Sequence, residues 1–336
     1  MAKDSRLSYE RIASALNLTR NSIKTRIKRM VSKGVIQEYI ADINFAILGY
    51  RIFYIFTKQE EKVSRGGNSN IQGSNNKRRN IIIEHLNSLG DILAEIEVLG
   101  GISIFRVAIR EPFAYKEITG KDDYNTISLL NTSVIEKAVL ASNASSFQTS
   151  AYNSKQPYPT PTDLKIMRCL VLDPKIGVAD IARLVSVSAR TGNRILNKLK
   201  DDGVVRFSVI CNPAAMKGLV VFGLLIYVND SEGSGRGEQK KKKKSSSHKV
   251  LERLYTEFPE YPFLRSPLIS HDDNIVILSV FGNDVFAIDS MFKKILSFQE
   301  VEKAELYVFT RIKYYKDWIV REIDRRSDSK SQYTIS

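Results

Sequence analysis

The sequence has few of the residues that build metal, redox or nucleophilic sites. It contains two cysteines and three histidines among 336 residues. Cys169 and Cys211 form neither a disulfide framework nor a CxxC pair, so both are interpreted as small buried hydrophobic residues in a reducing cytoplasm. His85, His248 and His271 are too widely spaced to match a metal-ligand pattern. We therefore predict no metal, no cofactor and no catalytic residues.

Long apolar runs are also absent. The longest nearly unbroken apolar stretch, Gly218 to Val228, is eleven residues, which is too short to span a bilayer. The segment from Ala2 to Arg11 is polar and charged, unlike a secretory leader. With 43% apolar and 26% charged residues, the composition is typical of a packed globular chain. The sequence thus predicts a cytoplasmic protein with no membrane partner.

The charge of the chain is unevenly distributed. Lysine and arginine number 51 against 37 acidic residues, which gives a net charge of +14. Residues 1–37 carry +7, and residues 160–206, 58–79 and 230–249 carry +4 each, so the rest of the chain is net acidic. Positive charge concentrated in a few short segments favours a polyanionic partner.

An internal repeat organises the sequence. A shift of 169 residues aligns the chain with itself without gaps from Asp4 to Phe53. The identical pairs include Asp4 and Asp173, Ile12 and Ile181, Ala13 and Ala182, Gly34 and Gly203, Val35 and Val204, Gly49 and Gly218, and Phe53 and Phe222. One period of about half the chain indicates a duplication rather than a solenoid.

Each copy opens with a pattern typical of a winged helix-turn-helix. Ser8 is predicted to cap a helix from Tyr9 to Leu16, and Thr19 to cap a second helix that ends near Lys33. Gly34 then stops the helix in a left-handed conformation, and a strand follows. The second copy repeats this order with helices at 178–185 and 189–202, preceded by an opening helix at 162–171 that the first copy lacks. That missing helix suggests an incomplete gene start or a partner that supplies the surface.

The second helix of each copy has a basic outward face. Ile23, Ile27 and Met30 recur at helical spacing and are expected to face the core. The predicted DNA-contacting residues lie on the opposite face and its flanks: Arg20, Asn21, Lys24, Thr25, Lys28 and Arg29, and in the second copy Arg190, Asn193, Arg194, Asn197 and Lys198. No acidic residue occurs from 19 to 33, whereas solvated charged faces normally mix signs. Arg and Asn suit bidentate contacts with base edges, and Lys mainly neutralises phosphate.

The remainder of each copy predicts the order βαββαβ, a ferredoxin-like sandwich. In the first copy the predicted elements are strand 50–57, helix 81–89, strands 92–99 and 102–110, a helical region 113–130 and strand 134–140. In the second copy they are strand 219–228, helix 249–257, strands 263–268 and 274–281, helix 285–296 and strand 301–309. The predicted fold class is α+β, with two copies of a winged helix and a sandwich.

These features resemble the Lrp/AsnC family of prokaryotic transcription regulators. The resemblance rests on segments 7–13 (LSYERIA), 18–27 (LTRNSIKTRI), 33–36 (KGVI), 48–50 (LGY) and 98–101 (VLGG), and in the second copy on 163–167 and 180–182. It implies operator binding on double-stranded DNA and association through the sandwich sheets. We expect the two sandwiches to pair within one chain as a pseudo-dimer, with further homo-oligomers as an alternative.

The resemblance also implies an amino-acid effector in some members. The corresponding residues here are Gly100, Gly101 and Ser103. Family loops usually follow the glycine turn with an acidic residue, and this chain has Ser103 there. The second copy reads Ser270 to Asn274 and has no glycine pair, so the effector site departs from the family pattern in both copies.

The predicted domains follow the repeat. A winged helix at 1–48 precedes a sandwich at 49–156 with an insert at 58–79, and a proline-rich linker occupies 156–161. A second winged helix at 157–217 precedes a sandwich at 218–312 with a lysine-rich insert at 230–249, and a C-terminal helix and tail fill 313–336. Both inserts are interpreted as solvated loops, with a phosphate-contacting arm as the alternative.

Two other functions compete with DNA binding. Siroheme decarboxylases resemble Lrp/AsnC proteins, occur as fused two-unit chains and use histidine and arginine near the start of the sandwich. Segments 40–49 and 210–215 contain no histidine, and a basic helix would be unnecessary in such an enzyme, so we predict that the chain is not an enzyme. A degenerate, non-DNA-binding interaction module is the remaining alternative.

Overall fold

The computed structural model describes residues 4–58, 71–110, 135–142, 159–229, 246–259, 261, 267–270 and 274–331. They form mixed helices and strands in two compact units, which confirms the α+β class. Unit 1 comprises Met1–Tyr50, Ser146–Met216 and Tyr314–Ser336, and unit 2 comprises Arg51–Ser145 and Lys217–Lys313. Within the described ranges, no helix is both long and apolar enough to cross a membrane.

The elements follow the predicted order in both halves. The first half contains α1 (Tyr9–Ala15), α2 (Arg20–Ser32), β1 (Ile36–Ile43), a 3-10 turn (Phe45–Leu48), β2 (Arg51–Lys58), α3 (Ile71–Leu89), β3 (Asp91–Val98), β4 (Ile102–Ile109) and β5 (Ile135–Ser142). The second half contains α4 (Pro161–Leu172), α5 (Val178–Val185), α6 (Ala189–Asp201), β6 (Val205–Cys211), a 3-10 turn (Pro213–Ala215), β7 (Val220–Val228), α7 (Ser246–Glu257), β8 (Leu268–Ser270), β9 (Ile275–Gly282), α8 (Val285–Leu296), β10 (Val301–Tyr314) and α9 (Asp317–Ser331).

Unit 1 contains the winged-helix segments of both halves. Their β1 and β6 strands pair antiparallel, with Tyr39 opposite Val209 and Asp42 opposite Arg206. The same backbone conformations recur 169 residues apart: Asn17 and Ser186 have φ of 52° and 59°, and Gly34 and Gly203 have φ of 68° and 65°. Positive φ is uncommon outside glycine, so this recurrence supports the repeat predicted from the sequence.

The C-terminal helix α9 belongs to unit 1 and lies against α4. It also contacts the end of the first winged helix, where the Trp318 ring lies 5.4 Å from Phe45 and 5.2 Å from Tyr50, between ring centroids. The Arg326 guanidinium donates to the carbonyl of Leu48. Helix α9 therefore covers part of the first winged helix, which has no opening helix among the described residues.

Among the described residues of unit 2, eight strands form one closed sheet in the order β10-β3-β4-β2-β5-β8-β9-β7. The first half supplies β3, β4, β2 and β5, and the second half supplies β8, β9, β7 and β10. The two sets join where β5 meets β8 and where the Leu99 amide donates to the Val308 carbonyl at 2.8 Å. The second half shows the complete predicted order βαββαβ.

Each set of strands buries one face under helices, because alternate residues of a strand point to the same side. In the first half, Ile82, Leu86 and Leu89 of α3 pack on a cluster that includes Phe53 and Phe105. In the second half, apolar side chains of α7 and α8 cover Phe222, Leu224 and Ile226 of β7 and their neighbours. These positions match the helical and alternating patterns of the sequence.

Two predicted elements are wrong in extent. Helix α3 begins at Ile71 rather than 81, inside the stretch predicted to be a solvated insert. Arg79 of this extension donates to the buried carboxylate of Glu95 at 2.8 Å, a partner that sequence periodicity does not reveal. Strand β8 is Leu268–Ser270 and so continues two residues past the predicted end at 268, where Ile269 and Ser270 pair with β5; residues 263–266 of the prediction lie outside the described residues. The predicted helical region 113–130 and the insert 230–249, except 246–249 in α7, lie outside the described residues.

The cysteine prediction is correct for one residue and only partly for the other. The two thiols are not joined in a disulfide bond; Cys211 is buried, whereas Cys169 is half-buried on α4. Burial raises the pKa of the Cys169 thiol and outweighs the opposing charge of Arg168. In the described part of the chain, no group of three His, Cys, Asp or Glu side chains is arranged to hold a metal ion.

Candidate nucleic-acid interface

Helix α2 presents the first candidate surface. It begins after Thr19, whose hydroxyl accepts from the Ser22 amide at 3.2 Å, and Ile23 and Ile27 are buried beneath it. This packing turns the predicted contact residues outward, and all of them are exposed: Arg20, Asn21, Lys24, Thr25, Lys28 and Arg29. Sequence reasoning missed Arg26, which is also exposed on α2; the uniform sign of charge along this helix would have indicated it.

One predicted contact residue of α2 has a protein partner. The Arg20 Nε atom lies 2.5 Å from Glu10 Oε1 of α1, and both side chains are more than half exposed. An exposed ion pair contributes little, because water screens both charges, so this pair competes only weakly with a phosphate. Among the described residues, no ion pair involves Lys24, Lys28 or Arg29, whose ammonium and guanidinium groups face solvent.

Helix α6 presents the second candidate surface by the same local design. Ser188 caps it by accepting from the Thr191 amide at 3.1 Å, and Ile195, Leu196 and Leu199 are buried. The predicted contact residues are again all exposed: Arg190, Asn193, Arg194, Asn197 and Lys198. Both predicted sets therefore lie where a nucleic acid can reach them.

Gly192 lies on the buried side of α6. A Cβ atom there would meet the Ala182 Cβ at 3.6 Å, an ordinary van der Waals distance. A glycine inside a helix lowers helix propensity by about 1 kcal/mol relative to alanine. The structure shows that it lies at the contact of α6 with α5, and that an added methyl group fits.

Two loops tie the winged helices together. The Asp4 carboxylate accepts from the Arg6 amide at 2.9 Å, and the Asp173 carboxylate accepts from the Lys175 amide at 2.8 Å, so equivalent turns precede α1 and α5. Arg6 then donates to the carbonyls of Pro174 at 3.0 Å and Ile176, and Lys175 donates to the carbonyl of Ser5. Together with the β1–β6 pairing, these hydrogen bonds between the two loops hold both winged helices, and thus α2 and α6, in one compact unit.

The Arg6 and Lys175 side chains, which reach from one loop to the other, are partly desolvated. Burial lowers the pKa of Arg6, against the raising effect of Asp4 and Asp173. Burial, followed by the charge of Arg6, lowers the pKa of Lys175, whose ammonium lies 4.4 Å from the Tyr39 ring centroid. Both groups are engaged with protein atoms and therefore hold the scaffold rather than extend the exposed basic surface.

The predicted effector residues lie in the turn between β3 and β4. Gly100 and Gly101 have φ of 90° and 77°, which explains the glycine pair, because a left-handed backbone disfavours a side chain. Ser103 is buried, and its carbonyl accepts from the Thr57 hydroxyl at 3.1 Å. In the second half, Ser270 Oγ accepts from the Ile275 amide at 2.9 Å, and residues 271–273 lie outside the described residues. Effector binding at these residues stays a prediction.

Comparison with known proteins supports the winged helices. The sequence model of the winged helix-turn-helix DNA-binding family matches residues 1–37 and 159–206, which include α1, α2 and α4 to α6. The chain is 42% identical over 52 residues to an uncharacterized HTH-type transcriptional regulator of Pyrococcus furiosus. It is 42% identical over 50 residues to another of Pyrococcus abyssi. These matches cover 16% and 15% of this chain.

The chain spans about a third of the length of these curated relatives, 35% and 34% respectively. Among solved structures, the siroheme decarboxylase NirDL is 13% identical with a TM-score of 0.47, covering 96% of this chain and 93% of that chain. An AsnC family transcriptional regulator from Agrobacterium tumefaciens is 24% identical with a TM-score of 0.31, covering 46% and 93%. The family model thus matches both segments in which the sequence predicted a winged helix-turn-helix.

Proposed function

We propose that the protein is a sequence-specific transcription regulator that binds double-stranded DNA through α2 and α6. The observation that carries this proposal is the pair of exposed, cation-rich helix faces within two segments that match a DNA-binding family. On α2 no carboxylate interrupts the face, and on α6 the acids Asp201 and Asp202 follow the predicted contact residues. Such a face attracts phosphate and presents Arg and Asn to base edges.

The proposal includes an intrachain pseudo-dimer. In unit 1 the halves are joined by the β1–β6 pairing and by the exchange between Arg6 and Lys175. In unit 2 they are joined at β5–β8 and β3–β10. These junctions support a single chain that supplies both reading helices, where a single-unit regulator would need two chains.

The proposal also holds that the chain acts by binding and not by catalysis. Segments 40–49 and 210–215, at the junction of winged helix and sandwich, lack histidine. The absorption spectrum of siroheme mixed with the full chain tests this point. We expect the spectrum of free siroheme to persist, and a shifted spectrum followed by loss of carboxylate would contradict the proposal.

Binding of the full chain to a labelled fragment of the gene's own promoter region tests the DNA proposal. We expect salt-dependent binding that an unlabelled copy of the fragment displaces better than a random-sequence duplex of equal length. Lys24→Ala with Lys28→Ala should weaken binding and flatten its salt dependence, because two phosphate contacts are lost. Lys293→Ala, on the exposed face of α8 in unit 2, is the matched control and should bind like the original chain.

Sedimentation of the complex tests the pseudo-dimer. One chain per duplex is the expected stoichiometry, and it should persist when the protein concentration is raised above that of the duplex. A complex that forms only with two chains would contradict an intrachain pair. Equal affinity for every duplex, unaffected by Lys24→Ala with Lys28→Ala, would contradict the whole proposal.

A further inference from the structure

The two candidate reading helices occupy equivalent positions and can be compared residue by residue. Each spans thirteen residues and begins after a residue whose hydroxyl accepts from the amide of the third helical residue. In α2 the Thr19 hydroxyl accepts from the Ser22 amide, and in α6 the Ser188 hydroxyl accepts from the Thr191 amide. The two helices can therefore be aligned by the positions of their N-cap residues, without using sequence identity. Ile27 and Leu196 are both buried, which confirms that the aligned helices turn the same face inward.

The outward residues differ at every aligned contact position. The aligned pairs are Asn21 with Arg190, Lys24 with Asn193, Thr25 with Arg194, Lys28 with Asn197, and Arg29 with Lys198. Only Arg29 and Lys198 keep the same charge. Two aligned positions are buried in both helices, Ile23 with Gly192 and Ile27 with Leu196, whereas Arg26 is exposed and the aligned Ile195 is buried. The difference at the contact positions lies in what each helix offers to a ligand.

The chemistry of the two faces is also different in kind. Helix α6 offers two guanidinium and two amide groups, from Arg190, Arg194, Asn193 and Asn197, and these are the groups that make bidentate contacts with guanine and adenine. At the positions aligned with the last three of these, helix α2 offers Lys24, Thr25 and Lys28, and lysine acts mainly as a point charge toward phosphate. The exposed arginines of α2 lie elsewhere on the helix, at Arg20, Arg26 and Arg29. At the compared positions, α6 is therefore equipped mainly for base reading and α2 mainly for electrostatic contact.

From this comparison we infer that the protein recognises a non-palindromic DNA site made of two unlike half-sites. The inference rests on the proposed function. A regulator built from two identical chains presents two identical helices, and its site mirrors that symmetry. Here one unit holds two different helices. The half-site bound by α6 has a strict sequence requirement and contains guanine, and the half-site bound by α2 accepts a wider range of sequences.

Selection of bound duplexes from a random-sequence library by the full chain tests the inference. We expect the enriched site to lack two-fold symmetry and to carry most of its sequence information in one half. Arg194→Ala should cost about tenfold or more at that half and leave the other half unchanged. Lys28→Ala should weaken all duplexes and leave the enriched sequence unchanged.

A helix swap gives the sharpest control. The swap variant carries Arg190→Asn, Asn193→Lys, Arg194→Thr, Asn197→Lys and Lys198→Arg, all at exposed positions of α6. It should select a site in which both halves match the weaker half-site of the original chain. The reciprocal swap places the α6 contact residues at the aligned positions of α2. It should select a symmetric site built from the stronger half-site, and it tests the inference even when the first variant does not fold.

The outcomes separate the two claims. A palindromic site selected by the original chain, or a single half-site that responds to substitutions in only one helix, would overturn this inference and leave DNA binding standing. No enrichment and no salt-dependent binding to any duplex would overturn the proposed function, and the inference with it.

Discussion

The two winged helices share a local design but differ in what packs against them. The second has its own opening helix α4, with Leu164, Ile166 and Leu170 buried. The first has no such helix among the described residues, and instead the C-terminal helix α9 covers its end through Trp318. The comparison shows that the hydroxyl caps of α2 and α6 and the left-handed glycines after them form in both winged helices, although an opening helix is described only in the second.

The covering helices also bind one another. Arg168 of α4 donates to Asp324 of α9 at 2.6 Å, and the buried Glu322 accepts from Arg325 and Arg326 of its own helix. Helix α9 therefore combines an apolar contact, a buried charge cluster and an exposed ion pair. Substitutions can separate these three contributions and rank them.

The largest expected effect is loss of the aromatic contact between α9 and the first winged helix. Trp318→Ala should lower the free energy of unfolding by about 3–5 kcal/mol, because it leaves a cavity beside Phe45 and Tyr50. Leu170→Ala, which removes a buried side chain of α4, should cost about 2–5 kcal/mol. Chemical denaturation checks both. A cost below 1 kcal/mol for Trp318→Ala would show that α9 does not cover the first winged helix.

The next effect comes from the buried carboxylate of α9. Burial opposes the charge of Glu322, but hydrogen bonds and charges from Arg325 and Arg326 outweigh it and lower its pKa below the ordinary value of 4.5. Its stabilising contribution is therefore complete above pH 4.5 and is lost as the pH falls through the lowered pKa.

Glu322→Gln should cost about 3 kcal/mol at neutral pH, because two cations lose a buried partner, and should remove this part of the acid dependence. Denaturation across pH 2–7 measures both. Asp324→Asn is the control, since Arg168 and Asp324 are 44% and 43% exposed and such pairs contribute about 1 kcal/mol or less. Parallel pH curves for Glu322→Gln and the original chain would contradict the assignment.

A smaller effect distinguishes the two reading helices at one aligned position. Lys28→Ala should weaken binding to all duplexes similarly and reduce the slope of log affinity against log salt by about 1. Asn197→Ala should instead alter the preferred sequence and leave the slope nearly unchanged, because an amide carries no charge. Titrations at several salt concentrations check this, and identical behaviour of the two variants would remove the distinction between the helices.

The smallest effect concerns the glycine of α6. Gly192→Ala should raise stability by about 0.5–1 kcal/mol, since the helix gains propensity and the new methyl group sits 3.6 Å from the Ala182 Cβ. Gly223→Ala is the contrast, because a Cβ there would lie 2.6 Å from the buried Phe309 ring. Thermal unfolding should move in opposite directions for the two variants; a loss of stability in Gly192→Ala would show that α5 and α6 do not tolerate the methyl group.

Much of the local structure was predictable because short-range chemistry fixes it. Thr19 and Ser188 begin helices through their own hydroxyls, and Gly34 and Gly203 end them in left-handed conformations. The exposure of the candidate contact residues followed from helical spacing alone. The start of α3 was wrong because the extension is held by Glu95, sixteen residues beyond Arg79. Strand β8 continues past its predicted end because Ile269 and Ser270 pair with β5, more than a hundred residues earlier in the chain.

The sequence by itself determined which faces are apolar, which are cationic and where the capped helices α1, α2 and α6 begin, because these follow from side chains within a few residues of one another. Only the tertiary structure decided that β1 pairs with β6, that strands of both halves close one sheet, and that α9 packs beside α4. Strand pairing and helix packing join segments far apart in the chain, and many pairings satisfy the same apolar pattern. Local signals therefore specify the parts, and long-range complementarity selects their arrangement.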